Sequence, residues 1–142
     1  MSTDTFAPGA EMQYVPDSDG YQPGVCNIGP AEIQRRRRAG HAGVIATAAT
    51  LALLVAIDAP AISRLVLTAP AAIAASGYLQ ARSRFCANYG WRGIFNVGAI
   101  GDDARVGDSA ARAADQRRAV QIGLGSLAIG SVVAAVAVLL PV

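Results

Sequence analysis

Hydrophobic and polar positions divide this chain into long blocks. Three blocks carry no Asp, Glu, Lys or Arg: residues 39–57, 65–81 and 119–142. Arginines bound them: Arg38 precedes the first, Arg64 and Arg82 flank the second, and Arg117 and Arg118 precede the third. A helix of about 17–25 apolar residues crosses the hydrocarbon core of a bilayer. The pattern therefore predicts an all-α membrane protein. Its three transmembrane helices would span about 39–57, 65–81 and 119–140, with a cytoplasmic N-terminal tail and a cytoplasmic loop.

The three blocks are unequal. The second is short, holds Pro70, and carries Thr68, Ser76, Gly77 and Gln80. A kinked span is expected there, because neighbours in a bundle can satisfy the carbonyl that a proline frees; a helical hairpin that dips in and returns is the alternative. The third helix is expected to start before its apolar block. Asp108 or Ser109 suits an N-cap, and residues 109–118 are rich in alanine. Asp108 with Arg112, and Asp115 with Arg118, have the spacing of neighbours on one helix face.

Ahead of the first block, residues 1–24 are acidic and rich in Pro and Gly, which predicts a disordered tail. Residues 25–142 form the expected membrane domain, and Pro30 suits a helix start. Clustered arginines remain on the cytoplasmic side of a membrane. Residues 35–38 and 82–118 hold most of the arginines, so both belong inside. The N-terminus is then cytoplasmic, the turn around Pro60 and the C-terminus outside, and Cys26 and Cys86 lie in a reducing compartment. Arg37 and Arg38 also suit a twin-arginine export signal ending at Ala59-Pro60-Ala61. Against that, the apolar run is long and a second span follows at once.

Composition sharpens this. Hydrophobic residues make up 53% of the chain and charged ones 15%, against about 25% charged in soluble domains. The net charge is only +2, so no nucleic-acid partner is implied. Every basic residue is Arg, which with the abundant Ala points to a bacterial genome of high GC content.

Chemistry is sparse. His41 is the single histidine, so no Ser/His/Asp set can be assembled, and no cofactor is implied. Gly90, Gly93, Gly98 and Gly101 lack the spacing of a phosphate loop and read as a flexible interfacial turn. Cys26, Cys86 and His41 could supply three metal ligands, or the thiols a redox pair, although no CxxC spacing supports either. Tyr78, Phe85, Tyr89, Trp91 and Phe95, interleaved with Arg82, Arg84 and Arg92, predict an interfacial belt on anionic headgroups that doubles as a docking surface. Ser126, Gly130 and Ala134 recur every four residues, as do Ala42, Ala46 and Thr50, and Ala72, Ser76 and Gln80. Such stripes allow close helix packing, within the chain or onto another membrane protein.

Residues 26–33, CNIGPAEI, and 85–90, FCANYG, with Gly93 and Asn96, resemble small multi-span membrane proteins of high-GC bacteria, a group that carries no known activity. The resemblance implies an ordered juxtamembrane unit in which residues 26–32 pack against 85–96.

The expected function is that of a non-enzymatic accessory or scaffold subunit acting through protein contacts at the inner membrane face. Its expected partners are a bilayer with anionic headgroups and another membrane protein or a second copy of itself. A metal- or redox-responsive protein using Cys26 and Cys86 is the alternative. A weaker one is small-molecule transport by an oligomer with a polar cavity lined by Thr47, Thr50, Ser76 and Gln80.

Overall fold

The computed structural model describes residues 20–142. The first nineteen positions of the expected tail lie outside them, whereas Gly20, Tyr21 and Gly24 already belong to the packed part of the molecule. The protein is mostly helical and contains three helical segments long and apolar enough to cross a membrane: Pro30–Ala56, Ala61–Ser83 and Ser109–Leu139.

The first segment, α1 (Pro30–Ala56), opens on Pro30 after an extended Gly29. A proline costs nothing there, since the first N–H groups of a helix have no internal acceptor. The arginine block 35–38 thus lies inside α1, in its second and third turns, rather than outside the helix. Past Ala56 the chain reverses through Asp58, whose φ of 51° is left-handed.

The second segment starts at Ala61, earlier than the apolar block suggested. A 3-10 helix (Ala61–Leu67) leads into α2 (Thr68–Ser83). Pro70 falls in the first turn of α2, where its missing N–H removes no α-helical hydrogen bond. The expected mid-span kink is replaced by this change of helical pitch. The segment also contains Arg64, which is 3% exposed and lies inside the helix rather than bounding it.

The third segment, α4 (Ser109–Leu139), begins as its sequence suggested. Asp108 is the N-cap, and its Oδ2 accepts the Ala111 N–H at 2.7 Å.

The helices run up, down, up, with α2 packed against both others. Glycines set the approach between α1 and α2. A Cβ on Gly43 would lie 2.6 Å from the Ala74 nitrogen, and one on Gly77 only 2.5 Å from the Gly40 nitrogen. On α4, Ser126, Gly130 and Ala134 are all buried, and a Cβ on Gly130 would lie 2.6 Å from the Thr68 oxygen. That stripe joins α4 to α2, while Leu67, Ala134 and Ala137 pack together near the far end with Leu51 against them. The stripe read on α1 is not the one that packs within the chain: Ala42 and Ala46 are exposed, and the buried pair is Gly40 and Gly43. An alanine-rich helix offers several four-residue series, but backbones meet most closely where no side chain intervenes.

Between α2 and α4 lie α3 (Ala87–Arg92) and a two-stranded antiparallel ribbon. Its strands are β1 (Ile94–Phe95) and β2 (Ala104–Arg105), with Ile94 opposite Arg105 and Phe95 opposite Ala104. A flexible turn and an all-helical chain were expected. Instead Gly93 closes α3 at φ 68° and its carbonyl accepts the Val106 N–H. Local hydrogen bonding thus orders a segment too short and glycine-rich to announce itself as strand.

Candidate functional site

The start of α1, the end of α2 and the start of α4 meet at one end of the bundle, and residues 20–29 are laid across that junction. Asn27 carries the seam. Its Oδ1 accepts the Cys86 N–H at 2.6 Å, and its Nδ2 donates to the Cys86 carbonyl at 3.1 Å. Its own N–H and that of Ile28 donate to the Arg84 carbonyl. Arg84 takes a left-handed conformation at the end of α2, which brings this carbonyl round. Ile28 and Asn96 form a parallel bridge, with Asn96 N–H donating to Asn27 and Gly29 N–H to Asn96. Residues 26–29 therefore pack on 84–96.

Asn96 fastens the next loop as well. Its side chain donates to the Ala99 carbonyl at 2.8 Å and to Asp103 at 3.1 Å, and accepts the Gly98 N–H. Gln80 extends past the end of α2 to accept the Ala87 N–H at the start of α3. Ser76 accepts from the same side chain, so these two residues lie within the packing rather than along a polar cavity.

Three ionisable groups at the junction are satisfied internally. Glu32 is fully buried and accepts from Arg35 at 3.5 Å and Arg36 at 3.3 Å. The Arg36 guanidinium also sits over the Tyr89 ring, 5.8 Å from its centroid. Burial, then the Glu32 charge, then the Asp103 carboxylate, which accepts the Tyr89 hydroxyl proton at 3.1 Å, hold that phenol above its ordinary value. Asp115 does not pair with Arg118 as its spacing suggested. It accepts the Tyr21 hydroxyl at 2.8 Å and the Gly24 N–H at 2.7 Å, while Tyr21 stacks on Phe95 with centroids 4.6 Å apart.

The expected aromatic–arginine surface separates into two sets. Phe85 has no exposed surface and packs with Ala119 and Ile122, so it is core. Phe95 packs with Tyr21 and Val106. Tyr78 covers Gly40 and bonds His41, its Oη 2.6 Å from the His41 Nδ1. What faces outward is Trp91, 62% exposed, with Arg82, Arg84 and Arg92, and Tyr78 also keeps an exposed face. Tyr89 and Trp91, two apart on α3, differ in exposure because that helix has an inside and an outside.

The metal candidates do not come together. His41 pairs with Tyr78, Cys86 is buried behind Asn27, and Cys26 directs its sulfur to the Ile28 carbonyl at 3.6 Å. Both thiols are free, and among the described residues no three His, Cys, Asp or Glu side chains are placed to hold a metal ion. Thr47 and Thr50 each donate back into α1, to the Gly43 and Ala46 carbonyls.

Sequence reasoning gave no role of their own to Asn27, Asn96 and Glu32, and paired Asp115 with Arg118. Glu32 was detectable from its spacing to Arg35 and Arg36, and the Asn96 side chain bonds locally, to residues 98, 99 and 103; Asn27 and Asp115 bond across the fold and leave no local pattern.

One groove opens beside the junction. Leu79, Arg82 and Ser83 of α2 face Arg118, Gln121, Ile122 and Gly125 of α4 across a volume of about 400 Å³. At the opposite end of the bundle, Arg64 donates to the carbonyls of Ala137 and Leu140, each at 2.9 Å, and to that of Val142. Compared with family profiles, curated proteins and solved structures, the chain finds no match.

Proposed function

We propose that this chain is a non-enzymatic subunit of the bacterial cytoplasmic membrane, with its N-terminus inside and C-terminus outside, acting through protein contacts at the inner face. The observation that carries the reading is the placement of Trp91. It lies outermost on α3, a short helix whose ends are held by Gln80 and Gly93 and whose Gly90 is pressed against Phe85 and the Asp115 carbonyl. An indole left exposed on a packed support, with Arg84 and Arg92 nearby in sequence and also exposed, has the composition of an interface hot spot. The Ser126, Gly130 and Ala134 stripe is used inside the chain, against α2, so it is not free for a partner. Anionic headgroups would meet the exposed guanidiniums of Arg37, Arg38, Arg82 and Arg117 around Trp91.

A photo-crosslinking residue at position 91, in native membranes, tests this. A discrete protein adduct is expected there and not at lipid-facing Val132. Lipid adducts alone at both positions would refute the docking role.

A further inference from the structure

We infer that the groove between α2 and α4 is a specific site for one anionic phospholipid. Its phosphodiester would rest between Arg82 and Arg118, and an acyl chain would lie over Leu79, Ile122 and Gly125. The inference rests on the membrane reading above and names one ligand of that same end of the bundle.

Three observations support it. The groove is two-toned along its length: Arg82, Ser83, Arg118 and Gln121 gather at the end where the arginines collect, and the rest of its lining is apolar. A phospholipid has that same order of charge and hydrocarbon when it stands beside a helix pair. Second, the Arg118 guanidinium is under-used. Its Nε has no hydrogen-bond partner in the protein and is shut off from solvent, so its terminal nitrogens are the ones a ligand can reach. Its Nη1 reaches only Gln121, at a long 3.4 Å. Charge complementarity therefore calls for an oxygen-rich anion, and a phosphodiester offers enough acceptors for two guanidinium forks. Third, the floor is left open. A Cβ on Gly125 would meet nothing closer than Leu79 Cδ1, at 3.6 Å. A side chain at Gly125 would therefore meet only Leu79, at ordinary contact distance, unlike one at Gly43, Gly77 or Gly130, whose Cβ positions are filled by backbone.

The last point supplies a steric test that leaves charge untouched. Gly125→Leu fills the floor, while Gly123→Leu, two residues away with nothing within 4 Å of its Cβ, controls for the added side chain. Purified, delipidated protein is titrated with phosphatidylglycerol or phosphatidylcholine in detergent, and bound lipid is counted by native mass spectrometry. The first phosphatidylglycerol is expected to bind about tenfold more tightly than phosphatidylcholine. Arg82→Gln combined with Arg118→Gln should abolish the preference. Gly125→Leu should lower occupancy and Gly123→Leu should not. Glycerol 3-phosphate should fail to compete, because it lacks the chain.

Equal binding of the two lipids, or equal binding by the two leucine variants, would overturn the site while leaving the membrane reading intact. Displacement by glycerol 3-phosphate would overturn it in favour of a soluble phosphate site. Release of the chain from membranes by alkaline carbonate would overturn both readings together.

Discussion

At the scale of single residues, the protein depends on groups that have no substitute. Gly77 is one. Its absent Cβ would meet the backbone of Gly40 and the Arg36 carbonyl at 2.5–2.8 Å, so Gly77→Ala must separate α1 from α2. A loss of about 1–3 kcal/mol is expected, read as a lower unfolding temperature in detergent, with Gly123→Ala unchanged or raised. Asp115 is another. Asp115→Ala removes the carboxylate that accepts from the Tyr21 hydroxyl and the Gly24 N–H, at a cost of about 1–3 kcal/mol. Limited proteolysis should then cut within residues 20–29, and Asp115→Asn, which keeps an acceptor, should be cut less. Tyr89 gives the junction a pH dependence. Its phenol is raised above 10.0 by burial, Glu32 and Asp103. The folded state therefore holds this proton more tightly than the unfolded chain. The stabilisation is full below 10.0 and is lost as pH rises through the higher folded value. Tyr89→Phe should flatten that alkaline loss in a melting-temperature profile.

At the scale of elements, Arg64 shows how a charge inside an apolar segment is used. It reaches from the 3-10 helix to two carbonyls at the end of α4, that of Ala137, which also accepts the Leu140 N–H, and that of the C-cap Leu140. Arg64→Leu should therefore fray α4 from its far end. Hydrogen exchange near residues 136–140 should quicken, while amides near Gly130, held against Thr68, stay protected. Arg64 bounds the uncharged run but not the helical segment, because a long side chain can carry its guanidinium to carbonyls at a helix end. Pro70 misled for a related reason. A proline signals a kink only if the helix began well before it, and the pitch of the preceding residues was not legible. Asp108 was legible because a cap depends on residues within one turn.

At the scale of the whole molecule, three segments with two intervening turns place the turn around Pro60 and the loop around Ala99 at opposite ends. In a background of Cys26→Ala and Cys86→Ala, Ala61→Cys should react with an impermeant thiol reagent added outside intact cells. Ala99→Cys should react only after the membrane is opened. The reverse pattern would invert the proposed orientation, and labelling of both from outside would remove the bilayer from between them. Both positions are exposed, so their reactivity reports the side and not the packing.

Much of the architecture was legible because it depends on near neighbours. Runs without charge, a proline opening α1, an aspartate opening α4 and arginines gathered at one end all act within a few turns of chain, and the number of apolar helical segments follows from them. Tertiary structure alone decided the rest. Asn27 meets Cys86 across 59 positions, Tyr21 meets Asp115 across 94, and Arg64 meets Ala137 across 73. It also decided which small residues touch, which aromatic rings are core, and that Arg82 and Arg118 share one groove. Those choices are made where backbones approach closely enough for a missing Cβ or one carbonyl to matter, and that proximity exists only after the helices have packed.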